Sequence, residues 1–292
     1  MIALYLITAK EEKMINPLLT SDTENFIAGS SNLAFFRQRV IKIGNGVLLY
    51  CTDGEAEITI DLQKYHIVPY THIILLPGSI LSLLSCSEDF RVIYLAFTGE
   101  MMRIACFRLE PAFMHFLKDV SCYTHIRPEE IIAIQGIIKA GIAIYADKEN
   151  QFRNSIAQNL LQIFFLNTYD KVQRFFTKEQ RDGNSRKSQL FKKFIRLVHT
   201  YCPTQRDVTF YASELCISTR YLSSITQAMA HISAKEIIDK FMILEIKVAL
   251  QSTNLSLKEI AERYHFPDQS FFGRYFKKHT SISPKEFREK NI

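Results

Sequence analysis

Apolar residues recur along this chain with two different periods, and the change from one to the other divides it. From Phe35 to Phe97 they fall in short β-branched and aromatic runs separated by turn residues, which predicts strands. The runs are Phe35 to Ile43, Val47 to Cys51, Glu55 to Ile60, Tyr65 to Val68, His72 to Leu76, Ile80 to Leu84 and Phe90 to Phe97. Asp53-Gly54 sits between two of them and predicts a tight reversal, and Gly44-Asn45-Gly46 and Pro77-Gly78 punctuate in the same way. Many short strands at this spacing predict a small β-barrel or sandwich over about residues 30–100.

Beyond the strands the period becomes helical. Pro128 with Glu129 and Glu130 makes a first turn, after which Ile131, Ile134, Ile138, Ile142 and Tyr145 share a stripe. A second helix from Gln151 to Phe175 carries Phe152, Ile156, Leu160 and Phe164, with Ala157, Leu161 and Phe165 beside them. This face is wider than one packing partner requires, so the pair at 128–176 either covers the barrel or also meets a second subunit. The stretch 177–188 is polar and aperiodic and reads as a linker. After it, a helix from Gln189 to Tyr201 alternates an apolar side with Lys192, Lys193 and Arg196 until Pro203 stops it. A long helix opens at Ser233-Ala234-Lys235-Glu236, read as a capping box, and ends near Gln251.

The flanks of that long helix repeat one another. Phe210 to Ile225 and Leu257 to Phe276 each contain a short helix pattern, a tight turn and a second amphipathic helix. Ala212 corresponds to Ala261, Leu215 to Tyr264, Ile217 to Phe266 and, after one extra turn residue, Leu222 to Phe272. A small residue before the turn with apolar residues around it lets two helices cross closely, the requirement of a helix-turn-helix. Ser218 and Asp268 are placed to cap the second helix of each copy, and Ser256-Leu257-Lys258-Glu259 is a further capping box.

Periodicity assigns each second helix an inner and an outer side. In the first copy Tyr221, Leu222 and Ile225 point inward; Arg220, Ser223 and Ser224 point outward. In the second, Phe271, Phe272, Tyr275 and Phe276 fill the core, while Gln269, Ser270, Gly273, Arg274, Lys277 and Lys278 face out. Arg220 and Arg274 carry forks suited to guanine, Gln269 can pair with adenine, and the two lysines suit phosphate. A solvated surface is the alternative for each outward charge. The connecting helix, about 28 Å long at 1.5 Å per residue, suits readers in successive major grooves about 34 Å apart.

Charge supports that direction. Of 36 Lys+Arg and 30 Asp+Glu in 292 residues, 18 and 10 lie from Ser185 onward, a net of +8 against −2 before it. A basic excess confined to the segment with the repeat is the footprint of a phosphate-facing domain. The six cysteines are scattered without metal-ligand spacing, as in reduced, buried thiols. The apolar opening from Met1 to Ala9 has no basic flank and is too short to span a bilayer, and translation could equally start at Met14. A metal in the barrel would need a His-x-His or His-carboxylate group. His66 and His72, with Glu55 and Glu57 nearby, are not spaced as one, so neither metal nor cofactor is expected.

The run His265-Phe266-Pro267-Asp268-Gln269-Ser270-Phe271-Phe272-Gly273-Arg274-Tyr275-Phe276-Lys277-Lys278-His279-Thr280, followed by Ser283-Pro284, resembles the signature of the AraC/XylS family of bacterial transcription regulators. The likeness spans about Ser188 to Arg288, and more loosely the barrel and helix pair. It implies an α+β chain: a cupin-like β-barrel with a helix pair for sensing and dimerisation over 1–176, a linker at 177–188, and a seven-helix domain with two helix-turn-helix units over 189–292. It further implies a cytoplasmic activator that is not an enzyme. Its partners would be double-stranded DNA, RNA polymerase, a small-molecule effector in the barrel and a second copy of itself. The base-reading positions carried over are Arg220, Ser223 and Ser224, then Gln269, Ser270, Gly273 and Arg274. Cys216, His265 and Ser281 stand where relatives commonly have glycine at turns. A cupin-type enzyme with an accessory DNA-binding domain, and a constitutive DNA binder without effector, are the alternatives.

Overall fold

A computed structural model of the chain describes residues 18, 24–107, 109, 111–175 and 186–290. The alternative starts Met1 and Met14, and residues 177–185 of the polar stretch, lie outside them, while Arg186 to Ser188 are already helical. Nine strands come first: β1 (Phe26–Ser31), β2 (Ile41–Lys42), β3 (Gly46–Asp53), β4 (Ala56–Ile60), β5 (Gln63–Ile67), β6 (Thr71–Leu75), β7 (Ile80–Cys86), β8 (Arg91–Phe97) and β9 (Cys122–Thr124). They form two antiparallel sheets in the orders β1-β8-β3-β6-β9 and β2-β7-β4-β5. Strand 1 beside 8 and strand 2 beside 7 is the jelly-roll order of cupin-like folds. The barrel is unclosed: among the described residues no strand ladder joins the two sheets.

The sheets differ in what they bury, and their sequences show why. β4 alternates buried and half-exposed positions, because its outer face meets solvent. In β3, six consecutive residues from Gly46 to Cys51 are buried. Val47, Leu49 and Cys51 enter the sandwich interior, and Leu48 and Tyr50 lie under a helical layer. That layer is α1 (Gly99–Ala105), α2 (Pro111–Asp119), α3 (Pro128–Ala146) and α4 (Arg153–Phe175). Its buried side is Ile134 and Ile138 of α3 with Ala157, Leu161, Phe164 and Phe165 of α4. Gly54, at φ 65 in the β3–β4 hairpin, has no room for a side chain, since a Cβ would stand 2.6 Å from the Phe90 nitrogen.

Three expectations are corrected. Phe35 to Ile43 is not one strand, because Leu33 and Gln38 adopt left-handed backbone. Ser31 and Asn32 side chains accept from the nitrogens of Leu33 and Ala34, so a 3-10 turn at Ala34–Phe36 precedes the two-residue β2. Phe152 is not part of the buried stripe: it lies before α4 begins and is 68% exposed. The Ser233 box is half formed. Ser233 accepts from the Glu236 nitrogen, but the Glu236 carboxylate pairs instead with Lys240 at 3.1 Å.

The C-terminal helices are α5 (Arg186–Tyr201), α6 (Val208–Glu214), α7 (Thr219–Ala230), α8 (Ala234–Ser252), α9 (Leu257–Arg263), α10 (Gln269–Thr280) and α11 (Pro284–Lys290). They enclose two cores that share α8. Ile237, Ile238 and Phe241 of its first half pack with Phe194, Tyr211 and Leu222. Met242, Ile246 and Leu250 of its second half pack with Ile260, Phe272 and Phe276. A helix gripped by a separate core at each end is a rigid strut, and α8 buries even Asp239 and Glu245. Glu245 is paired with Lys42 of β2 at 2.5 Å. Gln251 accepts from the Val40 nitrogen at 2.8 Å and donates to the Gln38 carbonyl at 3.2 Å, so the strut also touches the sandwich.

Candidate nucleic-acid interface

The duplication seen in the sequence is a duplication of hydrogen bonds. In the first unit the Cys216 nitrogen donates to Ser213 O at 2.9 Å and the Ile217 nitrogen to Ala212 O at 2.9 Å. In the second, forty-nine residues on, His265 donates to Glu262 O at 3.0 Å and Phe266 to Ala261 O at 2.8 Å. This closure requires left-handed backbone at the turn, and Cys216 (φ 54) and His265 (φ 53) adopt it without being glycine. Ser281, at φ 66, does the same at the end of α10. The missing glycines therefore leave the turns in place, at a strain of roughly 1 kcal/mol each. Ser218 accepts from the Tyr221 nitrogen at 3.1 Å and Asp268 from the Phe271 nitrogen at 2.7 Å, so each second helix starts at its expected cap. The Ser256–Glu259 box is complete.

Arg220, Ser223 and Ser224 on α7 are exposed, as are Gln269, Ser270, Arg274, Lys277 and Lys278 on α10. Gly273 is half-buried, and a Cβ built there would meet nothing within 4 Å. The Ser223 hydroxyl donates to Thr219 O at 2.9 Å, which leaves its lone pairs outward. Phe271 is corrected: it is 44% exposed on the rim, with the Arg274 guanidinium 6.0 Å from its ring centroid. Phe272 and Phe276 alone on α10 are fully enclosed. Tyr275 is half-buried, and its hydroxyl donates to Asp239 at 2.8 Å. Asp239 also accepts from Lys235 at 2.6 Å, and its negative charge helps burial hold the Tyr275 pKa far above the usual phenol value.

One residue that the pattern did not single out joins the units. Arg206, in the loop before α6, donates to Tyr264 O at 2.5 Å and to His265 O at 2.6 Å. Both carbonyls lie in the turn of the second unit. Its guanidinium also stands 4.2 Å over the Phe266 ring.

The two N-terminal histidines singled out in the sequence lie on different sheets. His66 is on the exposed edge, with Glu57 at 2.9 Å and Glu55 at 3.4 Å. His72 lies on the other sheet, buried, and burial depresses its pKa to about 3. Its Nδ1 is 2.6 Å from His125 Nε2, and His125 Nδ1 is 3.0 Å from Glu130. Burial also lowers the His125 pKa. Glu130 is raised by burial, but His125 and Lys171 outweigh this and hold it below the usual carboxylate value. The carboxylate therefore accepts from His125 Nδ1–H, and His125 Nε2 accepts from His72 Nδ1–H. The chain of bonds ties β6 to α3 beside a cavity of about 60 Å³, too small for a drug-sized ligand.

Two crossed helix pairs on one strut, each with an exposed polar face on its second helix, define a tandem helix-turn-helix protein. A family profile described as a helix-turn-helix domain matches residues 211–290. The arabinose operon regulatory protein of Escherichia coli is 32% identical over 82 residues, 28% of this chain and 28% of that protein. The HTH-type transcriptional regulator YtdP of Bacillus subtilis is 26% identical over 158 residues, 51% of this chain and 20% of that one. Fatty-acid-bound ToxT of Vibrio cholerae aligns over 86% of this chain and 88% of its own, with TM-score 0.45 and 17% identity. Over residues 211–290 the chain carries a helix-turn-helix domain of the AraC type, the segment in which it resembles AraC-family transcription regulators. It spans less than half the length of the curated relatives it matches.

Proposed function

We propose that this chain is a sequence-specific DNA-binding regulator of transcription, acting in the cytoplasm as an activator through contact with RNA polymerase. Regulatory input would come from a region at 1–176, joined by 177–188 to the DNA-binding part at 189–292. The observation that carries this reading is the repeated turn closure on a shared strut, which presents two exposed polar helices of different chemistry. α7 offers Arg220, Ser223 and Ser224. α10 offers Gln269, Ser270 and Arg274 for base edges and Lys277 and Lys278 for phosphates. Among the described helices none is long and apolar enough to cross a membrane. Ile132 of α3 (71% exposed) and Ile163 of α4 (54%) support a homodimer through the helix pair.

Residues 185–292 should bind DNA in a gel-shift titration, with affinity falling linearly as the logarithm of salt rises, because lysine and arginine displace condensed counterions. A salt-independent interaction would sink the electrostatic argument. Arg274→Ala should weaken specific binding by about 1–3 kcal/mol while changing non-specific binding much less. Equal losses on operator and random duplex would remove Arg274 from base reading.

A further inference from the structure

Leu49, Ile58 and Leu83 are among the side chains buried between the two sheets. Where the β5 edge and the end of α2 meet α5, α7 and α8, a cavity of about 750 Å³ opens at the seam between the sandwich and the first unit. That is the size of a small-molecule site, roughly 300–1,000 Å³. Phe191, Ile195 and Phe241 give it an apolar wall, and Met229 and Ala230, the last residues of the first outward-facing helix, complete one side.

The charged groups around it are unevenly committed. Lys192 is ion-paired with Asp119 at 3.1 Å and Lys240 with Glu236 at 3.1 Å. Asp61 Oδ1 accepts from the Ile80 nitrogen at 2.9 Å. Among the described residues, Lys118 of α2 and Arg196 of α5 line the cavity with no ion pair or side-chain hydrogen bond. Burial lowers the Lys118 pKa, and Arg196 adds to this against the pull of Asp61 and Asp119. His199 also lines the cavity, with a side chain 10% exposed. Its Nε2 is buried without a hydrogen-bond partner, since the nearest carboxylate oxygen, on Asp61, is 3.6 Å away. A buried polar nitrogen left unmatched is destabilising, so a bound polar group would relieve it.

We propose that the seam cavity binds an organic anion, a carboxylate or phosphate head on an apolar body. Lys118 and Arg196 hold the head, the His199 nitrogen donates to or accepts from a polar atom of the ligand, and Phe191, Ile195 and Phe241 pack on the body. A cation is disfavoured, because four cationic side chains and two carboxylates line the space. The two cations come from opposite sides of the seam, so an anion between them ties the sandwich to the first helix-turn-helix unit. Its role as an effector rests on the regulator reading above; the binding itself does not.

The test is calorimetric titration of the full chain with 1-naphthoate, 1-naphthyl phosphate and uncharged 1-naphthalenemethanol. At least one anion should bind about tenfold or more tightly than the alcohol, and the better of the two identifies the head group. Lys118→Met and Arg196→Met, which keep an apolar stem, should each weaken that anion about tenfold and leave the alcohol unchanged. Lys193→Met, an exposed site on α5, should do neither. Unliganded thermal melts establish that each variant folds, and either folded variant decides the matter. Equal binding of alcohol and anion, wild-type anion affinity in a folded variant, or no anion binding would overturn the site. A gel shift on the same preparation separates the two readings. DNA binding without anion binding removes the seam site alone, and anion binding without DNA binding removes the regulator role alone.

Discussion

Phe272→Ala should destabilise the second unit by about 3–5 kcal/mol, the range for truncating an enclosed phenylalanine. Phe272 is fully buried, its ring centroid 5.3 Å from that of Phe266 and 6.5 Å from that of Phe276. The core around it is small and built from α8, α9, α10 and α11, so few neighbours can close the cavity left behind. The adjacent Phe271→Ala should cost less than 1 kcal/mol, because that ring is 44% exposed. Urea unfolding of both variants gives the comparison. Similar losses at the two positions would mean that α10 is not oriented as described. The DNA readout should follow stability for Phe272, whereas Phe271 should affect binding only through the Arg274 side chain beside it.

That contrast marks the limit of what the sequence could reveal. The doubled unit was legible because its determinants are local: a small residue before the turn, apolar positions three and four apart, and a capping side chain at each helix start. Two neighbouring aromatics both match an inward stripe, and only the crossing of α10 over α8 decides which one is enclosed. Thr226 is fully buried on α7, a polar residue tolerated there because its hydroxyl donates to Ser223 O at 3.1 Å. In the sandwich, β3 through β8 announced themselves by β-branched and aromatic runs. β1 contains Ala28, Gly29, Ser30 and Ser31, and β9 has three residues, so neither has a periodic signal. They are strands because β8 and β6 leave edges for them to pair with. The seam cations Lys118 and Arg196 lie seventy-eight positions apart, beyond the reach of any local pattern.

Arg206 is the clearest case of a determinant that only the fold reveals, and its removal should be the most informative change in the interface. The loop that carries it belongs to the first unit, yet its guanidinium satisfies two carbonyls at the C-terminal end of α9 in the second. Carbonyls there have no intrahelical partner and carry the negative end of the helix dipole, so a cationic fork suits them. The contact with the Phe266 ring adds a cation–π term. On the same side, Lys235 bridges Arg206 O at 3.4 Å and Asp239, which holds Tyr275 of α10. Arg206→Met keeps the stem over Phe266 and removes both charged hydrogen bonds, at a cost of about 2–4 kcal/mol. Arg206→Lys should recover little, since an ammonium cannot fork between two carbonyls. Because each unit retains its own core and caps, the loss should fall on their mutual placement. Binding to a duplex with both half-sites should weaken by about 10–100-fold, while binding to a single half-site changes little. The variant should also lose preference for the native half-site spacing over a duplex with one base pair inserted. An Arg206→Met protein that keeps the wild-type spacing preference would show that α8 alone sets the distance between the readers.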